Sequence, residues 1–344
     1  MPDEPLPGSL WYGRSAGARL ARLALAPLEL GYRALTSVRN SLYDRGILPS
    51  HASGVPAISV GNLTVGGTGK TPLAAWLAHR LTALGARPAI VMRGYGDDEP
   101  EVHRRLNPGV PVIVSADRVA GIARAEGLGA DCAVLDDAFQ HRRAGRVADV
   151  VLVSADRWTG TTRLLPAGPW RESPRALRRA SVVLVTRKAV SVDEARDVAG
   201  RLSRAAPAVP FAIARLELGD LRRAADGQPQ PLLELAGRKA LAIAGVGDPE
   251  AFVRQLADAG AMVRFSLFPD HHDYSAAEAA QLAALAEAGE LVVCTLKDAV
   301  KLARHWPREG PPLWYVSQRV VVEEGAPVVE SLLRALLDAR HPQP

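Results

Sequence analysis

Cysteine is nearly absent: 344 residues contain two, Cys132 and Cys294. Each lies inside an apolar run, without disulfide or metal-ligand spacing. A disulfide scaffold and a thiolate metal centre are excluded, and a reducing compartment is expected. No stretch reaches the roughly 18 uninterrupted apolar residues of a spanning helix, and no signal peptide with a small-residue cleavage site is recognisable. Nor is the composition that of a disordered chain, since 48% of residues are apolar and mean hydropathy is +0.01. What the chain has is positive charge. Lys and Arg number 42 against 37 Asp and Glu, for a net +5, and arginine far outnumbers lysine. That balance suits phosphates, anionic lipid or nucleic acid without choosing among them. The length predicts about two α/β domains.

The N-terminal segment mixes both tendencies. Between residues 10 and 42, Leu20, Leu23, Leu25, Leu28, Leu30, Tyr32 and Leu35 alternate with Arg14, Arg19, Arg22, Arg33 and Arg39, behind Trp11 and Tyr12. Such a basic amphipathic helix can lie in a headgroup layer or pack on a domain surface. Pro27 should kink or divide it.

From residue 56 onward, β-branched apolar runs alternate with helical stretches. Strands are expected at 56–60, 88–92, 110–114, 132–135, 150–153 and 182–186, with helices at 72–84 and 118–127 between them. Continuous apolar runs fit a parallel sheet covered on both faces, a doubly wound α/β domain. After a loosened stretch at 204–210 a second series follows. Strands are expected at 211–216, 240–244, 262–268 and 291–295, and helices at 250–259 and 276–288. Ser275 and Glu278 form a capping box. The polar 220–231 segment reads as a turn or hairpin, and a last helix at 328–340 could pack on either domain. The expected division is a helix at 1–45, a nucleotide-binding domain at 46–210 and a smaller α/β domain at 211–344.

Behind the first strand stands VGNLTVGGTGKTP. Its core, Gly66-Gly67-Thr68-Gly69-Lys70-Thr71, lies between a strand and a helix. Glycines let backbone N–H groups wrap a phosphate, and the following helix N-terminus adds its dipole. Lys70 should reach the β- and γ-phosphates, and the Thr71 hydroxyl should ligate Mg²⁺. The strict pattern wants Gly where this chain has Thr64; Val65 completes the loop. The run Ala133-Val134-Leu135 ends in Asp136-Asp137, carboxylates expected at the C-terminal edge of the sheet, where they can hold Mg²⁺. Guanine readers carry Asn/Thr-Lys-x-Asp after a late strand. Thr295-Leu296-Lys297-Asp298 has the wrong spacing and Thr186-Arg187-Lys188 lacks the Asp, which favours ATP.

Further polar clusters follow: Arg93-Gly-Tyr-Gly96, Asp97-Asp98-Glu99, Gln140-His141-Arg142-Arg143 and Pro269-Asp270-His271-His272-Asp273-Tyr274. Each alone could be a solvated loop. Metal binding by His271, His272 and Asp273 is disfavoured, since adjacent histidines rarely point at one ion.

Together with ADRVAG around Arg118, LDDAFQHRR, LLPAGPWRE, GVGDP, FPDHHDYS and TLKDAVKL, these motifs resemble, over almost the whole chain, the tetraacyldisaccharide 4′-kinases, the bacterial lipid A 4′-kinases. The family's phosphate loop begins with Ser or Thr, which accounts for Thr64. The resemblance implies a P-loop NTPase-like, mostly parallel sheet with a smaller α/β domain. It implies ATP and Mg²⁺, and phosphorylation of the 4′-hydroxyl of a tetraacyl glucosamine disaccharide 1-phosphate to lipid IVA. Asp98 resembles the catalytic base and His271 its partner from the second domain, so that activity would depend on domain closure. Lys70 serves catalysis, while Thr71, Asp136, Asp137 and Glu172 resemble the ion-binding set. Glu99, Arg93, Tyr95, Arg118, Gln140 and His141 match further active-site positions. Because the acceptor is a lipid, the N-terminal helix becomes an expected contact with anionic lipid at the cytoplasmic face of the inner membrane. No nucleic acid and no obligate protein partner are expected. Two departures stand out. Ala138 replaces a usual Gly, and some tens of residues usual between Gly96 and the Asp-Glu-Pro motif are missing. Two other classes compete: an assembly ATPase, which would need a metal cluster or a dimer-completing lysine, and a nucleic-acid-dependent ATPase, for which no motif is present.

Overall fold

The computed structural model describes residues 8–13, 15–94 and 98–340. In chain order its elements begin with α1 (Gly8–Tyr12), α2 (Ala16–Ala24), α3 (Ala26–Asp44), β1 (Ala57–Asn62), α4 (Lys70–Ala83) and β2 (Pro88–Met92). There follow α5 (Asp98–Leu106), β3 (Val112–Val114), α6 (Arg118–Gly127), β4 (Cys132–Asp136), β5 (Ala148–Ser154), β6 (Val182–Arg187) and α7 (Val192–Ser203). The remainder is β7 (Phe211–Arg223), β8 (Pro229–Gln230), β9 (Lys239–Ala244), α8 (Pro249–Asp258), β10 (Met262–Leu267), α9 (Ala276–Ala284), β11 (Leu291–Thr295), α10 (Leu296–Leu302), β12 (Leu313–Glu324) and α11 (Ala326–Asp338).

The chain divides into two compact units. One comprises Met1–Arg93, Gly109–Ala214 and Val322–Pro344; the other comprises Gly94–Pro108 and Arg215–Val321. The boundary was expected near 211; the chain passes from the first unit to the second between Ala214 and Arg215. Two segments fall on the other side of it. Gly94–Pro108 joins the second unit because Val102 and Leu106 of α5 pack among Leu296, Ala299 and Val300. The C-terminal helix joins the first, with Val329, Leu333 and Leu336 buried and with Arg80–Glu330 (2.5 Å) and Arg340–Asp131 (3.0 Å) ion pairs.

In the first unit parallel strands run in the order β6-β5-β1-β4-β2-β3. β1, β2 and β4 are buried along their whole length, as continuous apolar strands must be when helices cover both faces. Asp117 caps α6 by accepting from Val119 N–H (2.9 Å). The N-terminal helix divides at Leu25, with Pro27 in the first turn of α3, where a missing N–H costs no helical bond. Leu20, Leu23, Leu28, Leu30, Leu35 and Val38 on α2 and α3 are exposed.

In the second unit β10-β9-β11-β12 are parallel, β7 follows β12, and β8 folds back antiparallel on β7, which makes the expected hairpin. The Ser275–Glu278 capping box opens α9, and Thr295 caps α10 by accepting from Asp298 N–H (3.2 Å).

Candidate functional site

Two groups of polar side chains carry the sequence-predicted residues, one in each unit. The first surrounds the loop of residues 63–69 between β1 and α4. Its glycines earn their place through conformation: Gly66 (φ 107) and Gly69 (φ 88) are left-handed, a region costly for other L-residues. Gly69 stands at the N-cap of α4 with no side-chain hydrogen bond, so the helix's first N–H groups are uncapped by any side chain, as an anion-binding terminus requires. The loop is braced on several sides. Buried Asn62 Nδ2 donates to Thr68 Oγ1 (2.9 Å), and Thr186 Oγ1 donates to the Thr68 carbonyl (2.9 Å). Val65 N–H donates to Pro169 O (2.8 Å) and Arg171 N–H to Leu63 O (2.6 Å), while Thr64 bridges to Trp170. Gly67 and Gly69 complete the turn into Lys70.

Register brings the acidic pair to this loop, since β4 pairs with β1 so that Asp136 is opposite Val60. The Thr71 hydroxyl donates to Asp136 Oδ2 at 3.4 Å. Asp137 follows in a left-handed conformation (φ 49). Its carboxylate receives two hydrogen bonds from Arg171 (3.0 and 3.2 Å) and lies 3.9 Å from Lys70 Nζ. Burial pushes this carboxyl up, but Lys70 and then Arg171 outweigh it and hold it below the ordinary carboxylate value. Gly61 lets the turn after Asp137 approach the strand, because a Cβ there would stand 2.5 Å from Phe139 Cβ.

The supporting residues have tasks of their own. Arg118, 2% exposed, donates to Ser115 O (2.6 Å) and Asp136 O (3.3 Å), tying the end of β4 to the start of α6. Gln140 Nε2 donates to Asn62 O (2.9 Å), and the Gln140 carbonyl accepts from Arg39 (2.8 Å). Half-buried His141 is held below its usual value by burial and by Arg118. Glu172, expected in the ion-binding set, is buried. Its carboxylate accepts two bonds from Arg179 (3.0 and 3.1 Å) and one from Asn40 (2.5 Å). Arg93 follows β2 and is exposed; Tyr95 lies outside the described residues.

The second group centres on Asp98 at the start of α5. This residue is 6% exposed, and its buried Oδ2 makes no hydrogen bond. His271 Nδ1 lies 3.9 Å from that oxygen and Lys301 Nζ 3.6 Å. His271 is itself left-handed (φ 63), with its N–H donating to Asp270 Oδ1 (3.0 Å). Lys297 Nζ lies 3.1 Å from both His271 Nε2 and Asp270 Oδ1. Partial burial first, then Lys297, push the imidazole below its usual value against Asp270 and Asp98. Glu99 stands beside Asp98 in the first turn of α5. His272 turns elsewhere, stacking on Phe268 at 4.7 Å and meeting Glu278 Oε1 at 3.0 Å. The two adjacent histidines thus face different partners, as steric reasoning expects. Among the described residues no three His, Cys, Asp or Glu side chains gather as a metal cluster.

One expectation changes here. Asp98 and His271 lie in the same unit, so their pairing does not wait on closure of two domains. The cause is α5, whose apolar face binds the second unit's core although its chain position lies between β2 and β3. Sequence reading also missed Arg171, Arg179, Asn40, Lys297 and Lys301. Only the Lys297/Lys301 spacing, four residues apart on one helix face, was a usable signal.

The chain is similar to known proteins in sequence and in fold. A sequence model of the tetraacyldisaccharide-1-P 4′-kinase family matches residues 21–108 and 97–338. A tetraacyldisaccharide 4′-kinase of Anaeromyxobacter dehalogenans (strain 2CP-C) is 40% identical over 335 residues, covering 86% of this chain and 85% of the relative. Those aligned positions outnumber the residues this chain contributes, so the relative carries residues without a counterpart here. One of Syntrophus aciditrophicus is 38% identical over 82% of this chain and 84% of its own. A crystal structure of LpxK from Aquifex aeolicus in complex with ATP superimposes with a TM-score of 0.72 at 29% identity, covering 93% of this chain and 100% of that one.

Proposed function

Because the chain belongs to the tetraacyldisaccharide 4′-kinase family, we propose that its phosphate loop holds ATP, that Asp98 takes the proton of the acceptor hydroxyl, and that its N-terminal helices lie on the membrane carrying that acceptor. The reaction is the ATP-dependent phosphorylation of the 4′-hydroxyl of a tetraacyl glucosamine disaccharide 1-phosphate, giving lipid IVA in lipid A biosynthesis. The fold is that of a P-loop NTPase, and the Aquifex aeolicus relative was crystallised with ATP.

The observation that carries the catalytic assignment is Asp98 Oδ2, a buried carboxylate oxygen with no hydrogen bond and an imidazole 3.9 Å away. A sugar hydroxyl is a weak nucleophile until a positioned group removes its proton. As the 4′-oxygen bonds the γ-phosphorus, the bond from that phosphorus to the β–γ bridging oxygen breaks, and the hydroxyl proton passes to Asp98. Lys70 and the loop N–H groups stabilise the charge gathering on the transferred phosphoryl and on departing ADP. The Thr71 hydroxyl, 3.4 Å from Asp136, and Asp137 beside it make an all-oxygen donor set. Such donors suit Mg²⁺, which is usually held by one or two carboxylates plus nucleotide phosphates; when bound it offsets phosphate charge. Glu172, held by Arg179 and Asn40, is left to brace α3.

The exposed leucines of α2 and α3, with Arg19 and Arg33 on the same helices, suit a headgroup layer of anionic lipid. No helix among the described residues is long and apolar enough to cross a membrane. The proposed contact is peripheral, at the cytoplasmic face where ATP is supplied.

Purified protein in detergent, given labelled ATP and the disaccharide 1-phosphate, tests the assignment. Asp98→Ala should lose on the order of a hundredfold or more in kcat while still binding ATP. Undiminished turnover would remove Asp98 from the base role.

A further inference from the structure

Lysine is a rare choice in this chain, five residues in all. Because arginine serves nearly everywhere else, a lysine at a functional group marks a place where a compact, rotatable ammonium is wanted. Two of the five, Lys297 and Lys301, lie on α10 beside Asp98 and His271.

An ammonium carries three N–H donors and no lone pair. Lys297 Nζ stands 3.1 Å from His271 Nε2, so that nitrogen must accept and cannot itself bear a proton. The one proton of the neutral ring is then on Nδ1, the nitrogen 3.9 Å from Asp98 Oδ2. We infer that Lys297 is a positioning residue for phosphoryl transfer: it fixes His271 as the neutral Nδ1–H tautomer, a donor aimed at the carboxylate of Asp98. This rests on the proposed role of Asp98 as proton acceptor.

The surroundings agree from every side. Asp270 Oδ1 accepts from Lys297 Nζ (3.1 Å) and from His271 N–H (3.0 Å), so one carboxylate oxygen aims both the ammonium and the left-handed backbone. Lys301, on the same helix, lies 3.6 Å from Asp98 Oδ2 and donates to His272 O (2.5 Å), tying α5 to the histidine loop. The charged groups facing the ring are therefore Asp98 from α5, Lys297 and Lys301 from α10, and Asp270 from its own loop. With Nδ1 already protonated, His271 cannot take the proton that Asp98 removes from the hydroxyl. Asp98 keeps that proton until product leaves, and the imidazole orients the carboxylate rather than relaying charge.

The test is a long-range ¹H–¹⁵N spectrum of the full chain with labelled histidine, His271 being assigned through His271→Gln. The wild type should show the Nδ1–H pattern. Lys297→Met should shift the ring toward Nε2–H, raise its titration midpoint and lower kcat on the order of tenfold with the KM for ATP unchanged. Lys297→Arg, which can still donate, should keep the Nδ1–H pattern. An Nε2–H ring in the wild type, or an unaltered pattern in a folded Lys297→Met, overturns the inference. If Lys297→Met does not fold, the wild-type spectrum still decides. Full activity in Asp98→Ala would instead strike the base assignment and leave the tautomer result standing.

Discussion

A single carboxylate can be held against opposing pressures, and Asp137 is the clearest case. Burial raises its affinity for a proton, yet Lys70 at 3.9 Å and Arg171 at 3.0 Å bring it below the usual carboxylate value. A folded value below the unfolded one gives stability that is complete above about pH 4 and is lost as pH falls through the folded value. Asp137→Asn should therefore cost on the order of 1 kcal/mol at neutral pH, a difference that shrinks toward zero in strong acid. Thermal melts across pH 2 to 7 read this directly, and a gap that persisted at low pH would contradict the ion-pair account. At this scale the sequence was a good guide wherever chemistry is local. Gly66 through Thr71 is a loop that its own residues define. The partners of Glu172, Asn40 and Arg179, were not legible, because they come from a distant helix and a nearby turn and only folding selects them. Lys297 faces a histidine 26 residues away, which no spacing rule announces.

Single elements raise a different question, that of which face looks inward. In most surface helices the apolar stripe meets the core. α3 reverses this. Its buried Glu29 accepts from Leu164 N–H at 2.9 Å, its Arg39 and Asn40 bond to Gln140 O and Glu172, and Leu28, Leu30, Leu35 and Val38 face outward. The polar side is docked and the apolar side is presented. Replacing Leu23, Leu30 and Leu35 with Ser should leave the melting temperature within a few degrees, because those side chains are exposed and contribute little to the core. Co-sedimentation with anionic vesicles should drop several-fold, and unchanged sedimentation would remove the lipid role. Alternating leucines and arginines made an amphipathic helix legible from sequence, as Pro27 did its division. The orientation was not legible, because it depends on acceptors such as Glu172 that the rest of the fold supplies.

For the molecule as a whole, chain order and spatial grouping part company. Strands buried on both faces announced themselves as continuous apolar runs. Nothing local marks α5 as belonging with α10, or α11 as belonging with the first unit, since an inserted segment carries no sign of where its apolar face will bind. Leu333, fully buried in α11, offers a check. Leu333→Ala should cost about 2–5 kcal/mol, and the loss should fall on the unfolding transition that ATP protects. A loss confined to a transition indifferent to ATP would show that α11 serves the other unit.

The three-part make-up of the first unit also bears on how the protein is made. Domains generally fold during synthesis in the order in which they leave the ribosome. Here the first unit has segments on both sides of the second in the chain, so it cannot bury Leu333 and Leu336 against their partners until the second unit has been synthesised. α5 emerges early and must wait, its apolar face unmatched, for α10 to be synthesised. The nucleotide-binding half of this enzyme is thus begun before the other unit and completed after it.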